Sequence, residues 1–143
     1  MKTLEQRFDI EWAHCDAAGI VFYPNFYTWF DQATERLFKA NGLGYPDLDR
    51  DLGITGMPLV ETGTSYRSPC KLGDAVVMKS WVDEWKGRTF LVKHVISHDN
   101  GDLGGDIGLE GFERRVLVQP DPASPKGIKA VQIPDAVMER FVD

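Results

Sequence analysis

The sequence predicts an α+β fold, an antiparallel sheet with one long helix packed on it. Three observations predict this. A single aromatic-rich helical stripe lies near residues 24–41. Four strand-like segments follow it in hairpin-like succession between 59 and 118. One more strand-like segment precedes the helix, at Arg7 to His14. Consecutive hairpins build antiparallel sheets, and one amphipathic helix covering one face is the simplest packing. At 143 residues the chain suits one domain over 1–143, large enough to build a core without staples.

Each element has its own signal. Phe8, Ile10 and Trp12 alternate with Arg7, Asp9 and Glu11, the pattern of a half-buried strand. Cys15 to Tyr23 reads as a loop, and Pro24 suits a first helical position. Phe26, Trp29, Phe30, Ala33 and Leu37 form one helical stripe, and Asn41-Gly42 ends it. Gly42 to Gly56 reads as irregular. Beyond Leu59, Thr62, Thr64 and Tyr66 share one strand face, and Pro69 closes the segment. A turn at 71–74 leads into Ala75 to Trp85, with Val76, Met78 and Val82 on one face. Lys86-Gly87 reads as a tight hairpin turn into Arg88 to His98. Asp99 to Gly108 is a glycine-rich connection, Leu109 to Val118 a fifth strand, and 119–127 a proline-rich loop. A short C-terminal helix begins at Ile133-Pro134, with Ala136, Val137, Met138 and Phe141 as its apolar positions.

Composition narrows the function. Hydrophobic residues at 43% and charged residues at 27% are an ordinary globular balance and exclude a disordered chain. A net charge of -6 argues against a general nucleic-acid binder, which needs clustered Lys and Arg. No apolar stretch approaches the ~20 residues of a membrane span, and the N-terminus MKTLEQRFDIEW does not resemble a secretion signal. Cys15 and Cys70 are then expected to be reduced thiols in a cytoplasmic protein.

The loop from Cys15 to Pro24 is the most informative stretch. Asp16 sits between a strand and a helix start, eight residues before Pro24. The first helical turn offers unpaired N–H groups and a positive dipole end, suited to a carbonyl oxygen that becomes negative. A carboxylate near such donors has the parts acyl transfer needs. Read from residue types alone, Asp16 and Gly19 equally well shape a turn.

Residues 16–26, D-A-A-G-I-V-F-Y-P-N-F, closely resemble the signature of the 4-hydroxybenzoyl-CoA thioesterase family of the hot-dog-fold superfamily. W-K-G-R-T-F at 85–90 looks like that family's basic hairpin. G-M-P-L-V at 56–60 and A-V-Q-I-P at 130–134 resemble its second strand and its approach to the last helix. The resemblance implies a hot-dog fold, a five-stranded antiparallel sheet wrapped around one long central helix, with a short C-terminal helix after it. It implies hydrolysis of an acyl-CoA thioester without metal or cofactor. Asp16 would attack the carbonyl or activate water, and the Tyr23 backbone N–H would polarise that carbonyl. Lys86 and Arg88 would meet the CoA phosphates, although Gly87 stands where the family often carries another basic residue. The exposed edges of a single five-stranded layer predict a homodimer joined sheet edge to sheet edge, with active sites at the subunit interface, and the resemblance implies that it assembles to a homotetramer. An aromatic acyl group such as 4-hydroxybenzoyl is the first expectation for the substrate. Short- or medium-chain acyl-CoA, an acyl carrier protein thioester, and a non-catalytic acyl-CoA-binding module are the alternatives.

The chemistry suits such modest equipment. A thiolate leaves without a dedicated general acid, so one carboxylate and one oxyanion donor suffice. Other features are read as structural. Lys86 and Arg88, taken without the resemblance, are a solvated loop tip. His94 and His98 on one strand face lie about 13 Å apart along the chain, too far for one metal. His14, beside the loop, is read as packed. Asp99 to Glu110 has the length of an EF-hand loop, but Gly101 and Leu103 stand where carboxylates belong. Cys15 lacks a nucleophile-elbow context. Phe26, Trp29 and Phe30 are read as core, Asp31 and Gln32 as facing a subunit interface, and Asp31 as non-catalytic.

Overall fold

The computed structural model describes residues 1–99 and 105–143. The middle of the expected glycine-rich connection at 99–108, residues 100–104, lies outside them. The elements are β1 (Thr3–Asp9), α1 (Pro24–Ala40), α2 (Tyr45–Leu52), β2 (Leu59–Tyr66), β3 (Ala75–Lys86), β4 (Thr89–His98), β5 (Ile107–Val116), β6 (Val118–Pro120), β7 (Ile128–Ala130) and α3 (Asp135–Met138). β1 to β5 form one five-stranded antiparallel sheet in the order β1-β3-β4-β5-β2. This is the hot-dog arrangement, and α1, at 17 residues, is its longest helix.

The strand order corrects the expectation of an unbroken hairpin succession. β3, β4 and β5 do pair as consecutive hairpins. β2 instead pairs with β5, and β3 takes β1 on its other side. Residues 67–74 therefore carry the chain from one sheet edge toward the other.

Several boundaries also move. The first strand ends at Asp9, and Trp12–His14 is a 3-10 turn. The chain leaves the sheet because Ile10 exchanges hydrogen bonds with the 73–74 turn, through Asp74 O and the Gly73 N–H. Glu11 and His14 then close the 3-10 turn reciprocally. Trp12, expected to face inward, is 80% exposed as a result. The stretch expected to be irregular holds α2, whose Leu48 is fully buried; Gly53 caps it at φ +65. The hairpin turn is Gly87-Arg88, one residue later than expected, with Gly87 at φ +62 and Lys86 ending β3. The proline-rich loop is the tip of a small hairpin, β6 with β7.

α1 buries Phe26, Phe30, Ala33, Thr34, Leu37 and Phe38. Its N-terminal half packs with Val76, Met78, Ile96 and Leu109. Its C-terminal half packs with Val82, Phe90, Val92 and Leu117, together with Leu48 of α2 and Val137 of α3. Between these two apolar clusters runs a buried polar row. Ser80, His94 and Glu113 occupy the inner face of β3, β4 and β5, with Thr34 above them on α1. His94 Nδ1 lies 2.7 Å from Ser80 Oγ, and its Nε2 lies 2.8 Å from Glu113 Oε1. Glu113 also accepts from Thr34 Oγ1 and Arg115. Arg115 continues to the Met57 carbonyl at 2.6 Å and to Asp31 of α1 at 2.7 Å. Phe30 stacks on the His94 ring at 4.6 Å.

Candidate active site

The Asp16 loop is built by backbone geometry. The Asp16 N–H donates to Ile20 O at 2.9 Å, and the Gly19 N–H donates back to Asp16 O at 3.0 Å. Asp16 Oδ1 accepts the Ala18 N–H at 2.8 Å. Gly19 takes φ +76, which suits a residue without Cβ. Asp16 thus does shape a turn. It spends one carboxylate oxygen doing so, and it is exposed. The loop is pinned to the crossover segment: the Val21 N–H donates to Cys70 O, and the Leu72 N–H to Gly19 O.

The same economy leaves one donor over at the helix start. The Phe22 N–H is used by His14 O, the Asn25 N–H by Phe22 O, and the Phe26 N–H by Tyr23 O. Pro24 has no N–H. Among the described residues, nothing accepts the N–H of Tyr23, the residue that caps α1. It therefore stands open at the positive end of a 17-residue helix.

Tyr23 lines a cleft of about 600 Å³, a size that suits a small organic ligand. Phe26, Tyr27, Tyr66, Cys70 and Leu109 are among its walls, so it is mainly aromatic and apolar. Tyr27, Tyr66 and Cys70 were not singled out as site residues in the sequence. The one signal was the shared strand face of Thr64 and Tyr66. Phe26 is core, as expected, and also cleft wall. Phe30 is wholly core, and Trp29 packs against Phe8, His14 and Phe26.

Lys86 and Arg88 are exposed at the far end of β3. The Asp16 loop is tied to residues 70–72, just before β3 begins. Twelve residues of strand separate these ends, on the order of 35 Å when extended. The chain brings Asp16 and Tyr23 into one region and leaves the basic pair elsewhere.

The remaining candidates resolve by their partners. Burial pushes the Cys70 thiol up to about 11, so at neutral pH it is not a thiolate nucleophile. Cys15 Sγ reaches the Glu11 carbonyl at 3.5 Å. His14 Nδ1 accepts the Glu11 N–H at 2.9 Å, and its ring packs on Trp29. His98 meets Ser68 Oγ at 3.1 Å, whereas His94 belongs to the core row. Among the described residues, no three His, Cys, Asp or Glu side chains cluster to hold a metal. No helix among them is long and apolar enough to cross a membrane.

Residues 10–141 match the model of the thioesterase-like superfamily. The 4-hydroxybenzoyl-CoA thioesterase of Pseudomonas sp. strain CBS-3 is 30% identical over 140 residues, 96% of this chain and 94% of that one. A solved aspartate-to-asparagine variant of 4-hydroxybenzoyl-CoA thioesterase, complexed with 4-hydroxybenzoyl-CoA, superposes with TM-score 0.86 at 25% identity. It covers 99% of this chain and 100% of its own. A gentisyl-coenzyme A thioesterase superposes with TM-score 0.75 at 28% identity, covering 98% and 100%. With its strand order, its aspartate loop and its helix start all in place, the chain belongs to the thioesterase-like superfamily, within the hot-dog-fold family of 4-hydroxybenzoyl-CoA thioesterase.

Proposed function

We propose that this protein hydrolyses an acyl-CoA thioester to the free acid and CoA, with an aromatic acyl group preferred. The observation that carries this is the open N–H of Tyr23 at the start of α1, a residue that also lines an aromatic cleft beside the Asp16 turn. The carbonyl oxygen of the thioester accepts that N–H, which becomes a stronger partner as the oxygen gains charge. Asp16 has one carboxylate oxygen committed to the turn and one free to act. In one route that oxygen bonds to the carbonyl carbon and the C–S bond breaks. The thiolate leaves and takes a proton from solvent, and water then cleaves the mixed anhydride. In the other route Asp16 removes a proton from water as the water attacks, and the same C–S bond breaks. Neither route calls on a metal or a cofactor, so turnover is expected to persist in chelator.

The acyl group lies in the cleft, and the walls of Phe26, Tyr27 and Tyr66 favour a flat ring. Kinship with enzymes named for 4-hydroxybenzoyl-CoA and gentisyl-CoA supports the same class. Lys86 and Arg88 bind the CoA phosphates. Because they stand a strand length from Asp16, they serve the site of another subunit. The assembly is a homodimer, extended to a homotetramer.

Thiol release from a panel of aromatic and aliphatic acyl-CoAs tests this, with wild type beside Asp16→Asn. Asparagine keeps an oxygen for the Ala18 N–H, so the turn survives. The expected result is turnover of an aryl-CoA by wild type and a loss of about 10³-fold in the variant, with binding retained. Binding without thiol release by wild type would instead mark an acyl-CoA-binding module.

A further inference from the structure

The walls of the aromatic cleft are not all apolar. Tyr27 and Tyr66 both line it, one from α1 and one from the last residue of β2. Thr64, two residues earlier on the same strand face, donates its hydroxyl to Tyr27 Oη at 3.1 Å. A phenol oxygen that accepts from Thr64 still holds its own proton. That proton is free for Tyr66 or for a ligand. Burial holds the Tyr66 hydroxyl above its ordinary range, with Tyr27 beside it. Tyr66 is fixed as a wall by its ring contact with Phe26 at 5.9 Å. Tyr27 lies four residues after Tyr23, one helical turn away on the same face. A ligand whose carbonyl sits on the Tyr23 N–H therefore extends its acyl group past Tyr27.

We propose that Tyr27, aligned by Thr64 and flanked by Tyr66, is the specificity-determining residue of this cleft, donating a hydrogen bond to an oxygen substituent on the ring of an aromatic acyl group. The assignment rests on the thioesterase reading for the direction in which the acyl group enters. An unsubstituted ring covers the Tyr27 hydroxyl with apolar surface and offers it no partner in exchange for water, which costs binding. A hydroxylated ring satisfies it. A straight aliphatic chain does neither and loses the aromatic walls as well.

The test compares kcat/KM for benzoyl-CoA and its three ring-hydroxylated isomers in wild type, Tyr27→Phe and Thr64→Val. The reading is the ratio of the preferred hydroxylated substrate to benzoyl-CoA. Tyr27→Phe keeps the ring wall and removes the donor, so the ratio is expected to fall about tenfold. Thr64→Val, which keeps shape, should lower it in the same direction by less. A parallel calorimetric comparison of the free aromatic acids reads the same ratio as binding affinity. An unchanged ratio in Tyr27→Phe by both readouts overturns the assignment, leaving the hydroxyls as a brace between α1 and β2. If wild type releases no thiol from any ester, the thioesterase reading fails, and the affinity ratio still decides the role of Tyr27.

Discussion

Glu113 shows how one residue sets a pH dependence. Burial alone would raise its carboxyl. The hydrogen bond and charge of His94, with the charge and hydrogen bond of Arg115, outweigh burial and hold it below the ordinary 4.5. A lowered folded pKa means that the carboxylate stabilises the fold fully above the unfolded value. That stabilisation is lost as pH falls through the folded one. Glu113→Gln leaves Arg115 with Asp31 and the Met57 carbonyl but without its buried carboxylate. The expected cost at neutral pH is about 3 kcal/mol. The variant's stability should also decline less on acidification. Chemical denaturation of both proteins at a series of pH values measures this, and parallel pH curves would refute it. The role of His94 was not legible in the sequence: its spacing to His98 drew attention, while its partners Ser80 and Glu113 are 14 and 19 residues away on neighbouring strands.

At the scale of elements, the middle of α1 makes a close approach to the sheet. Phe30 lies flat on His94 and fills the space above Gly111 on β5. A Cβ at Gly111 would stand 2.3 Å from the Phe30 ring. Gly111→Ala must therefore displace Phe30 and with it the middle of α1. The expected destabilisation is about 1–3 kcal/mol, read from the thermal midpoint. The shift passes along α1 to Tyr23, so kcat should fall as well. A variant as stable and as active as wild type would show that α1 is not seated by this contact. The helix stripe itself was plain in the sequence, because Phe26, Phe30, Ala33 and Leu37 recur at helical spacing. α2 was not. Its eight residues carry a proline and three aspartates, and what holds it is Leu48 reaching the core, a contact that local propensity does not encode.

At the scale of the whole molecule, the five-stranded sheet of the described residues ends in two edge strands, β1 and β2. β2 exposes Leu59, Val60 and Tyr66, and an exposed apolar edge invites pairing. Dimerisation through such an edge would bring a second basic hairpin into reach of the Asp16 region. Two inactive variants should then complement each other. Asp16→Asn lacks the reacting carboxylate, and the double substitution Lys86→Ala with Arg88→Ala lacks the phosphate contacts. Co-expressed, they are expected to regain aryl-CoA turnover that neither shows alone at low substrate. A mixture no more active than its parts, or a monomer by light scattering at micromolar concentration, would defeat the shared-site arrangement.

The sequence by itself determined the α+β class, the helix, the central β3–β4–β5 hairpins and the Asp16-to-Tyr23 loop. All of these are local: they depend on periodicity, turn residues and a contiguous motif. Only the tertiary structure decided that β2 crosses to β5 and that a charged row divides the core. It alone decided that Tyr23 keeps a spare N–H at the start of α1, with Tyr27 and Tyr66 lining the same cleft. These depend on which distant segments share hydrogen bonds and surface. Strand pairing order and hydrogen-bond accounting are properties of the packed chain, and no window of neighbouring residues contains them.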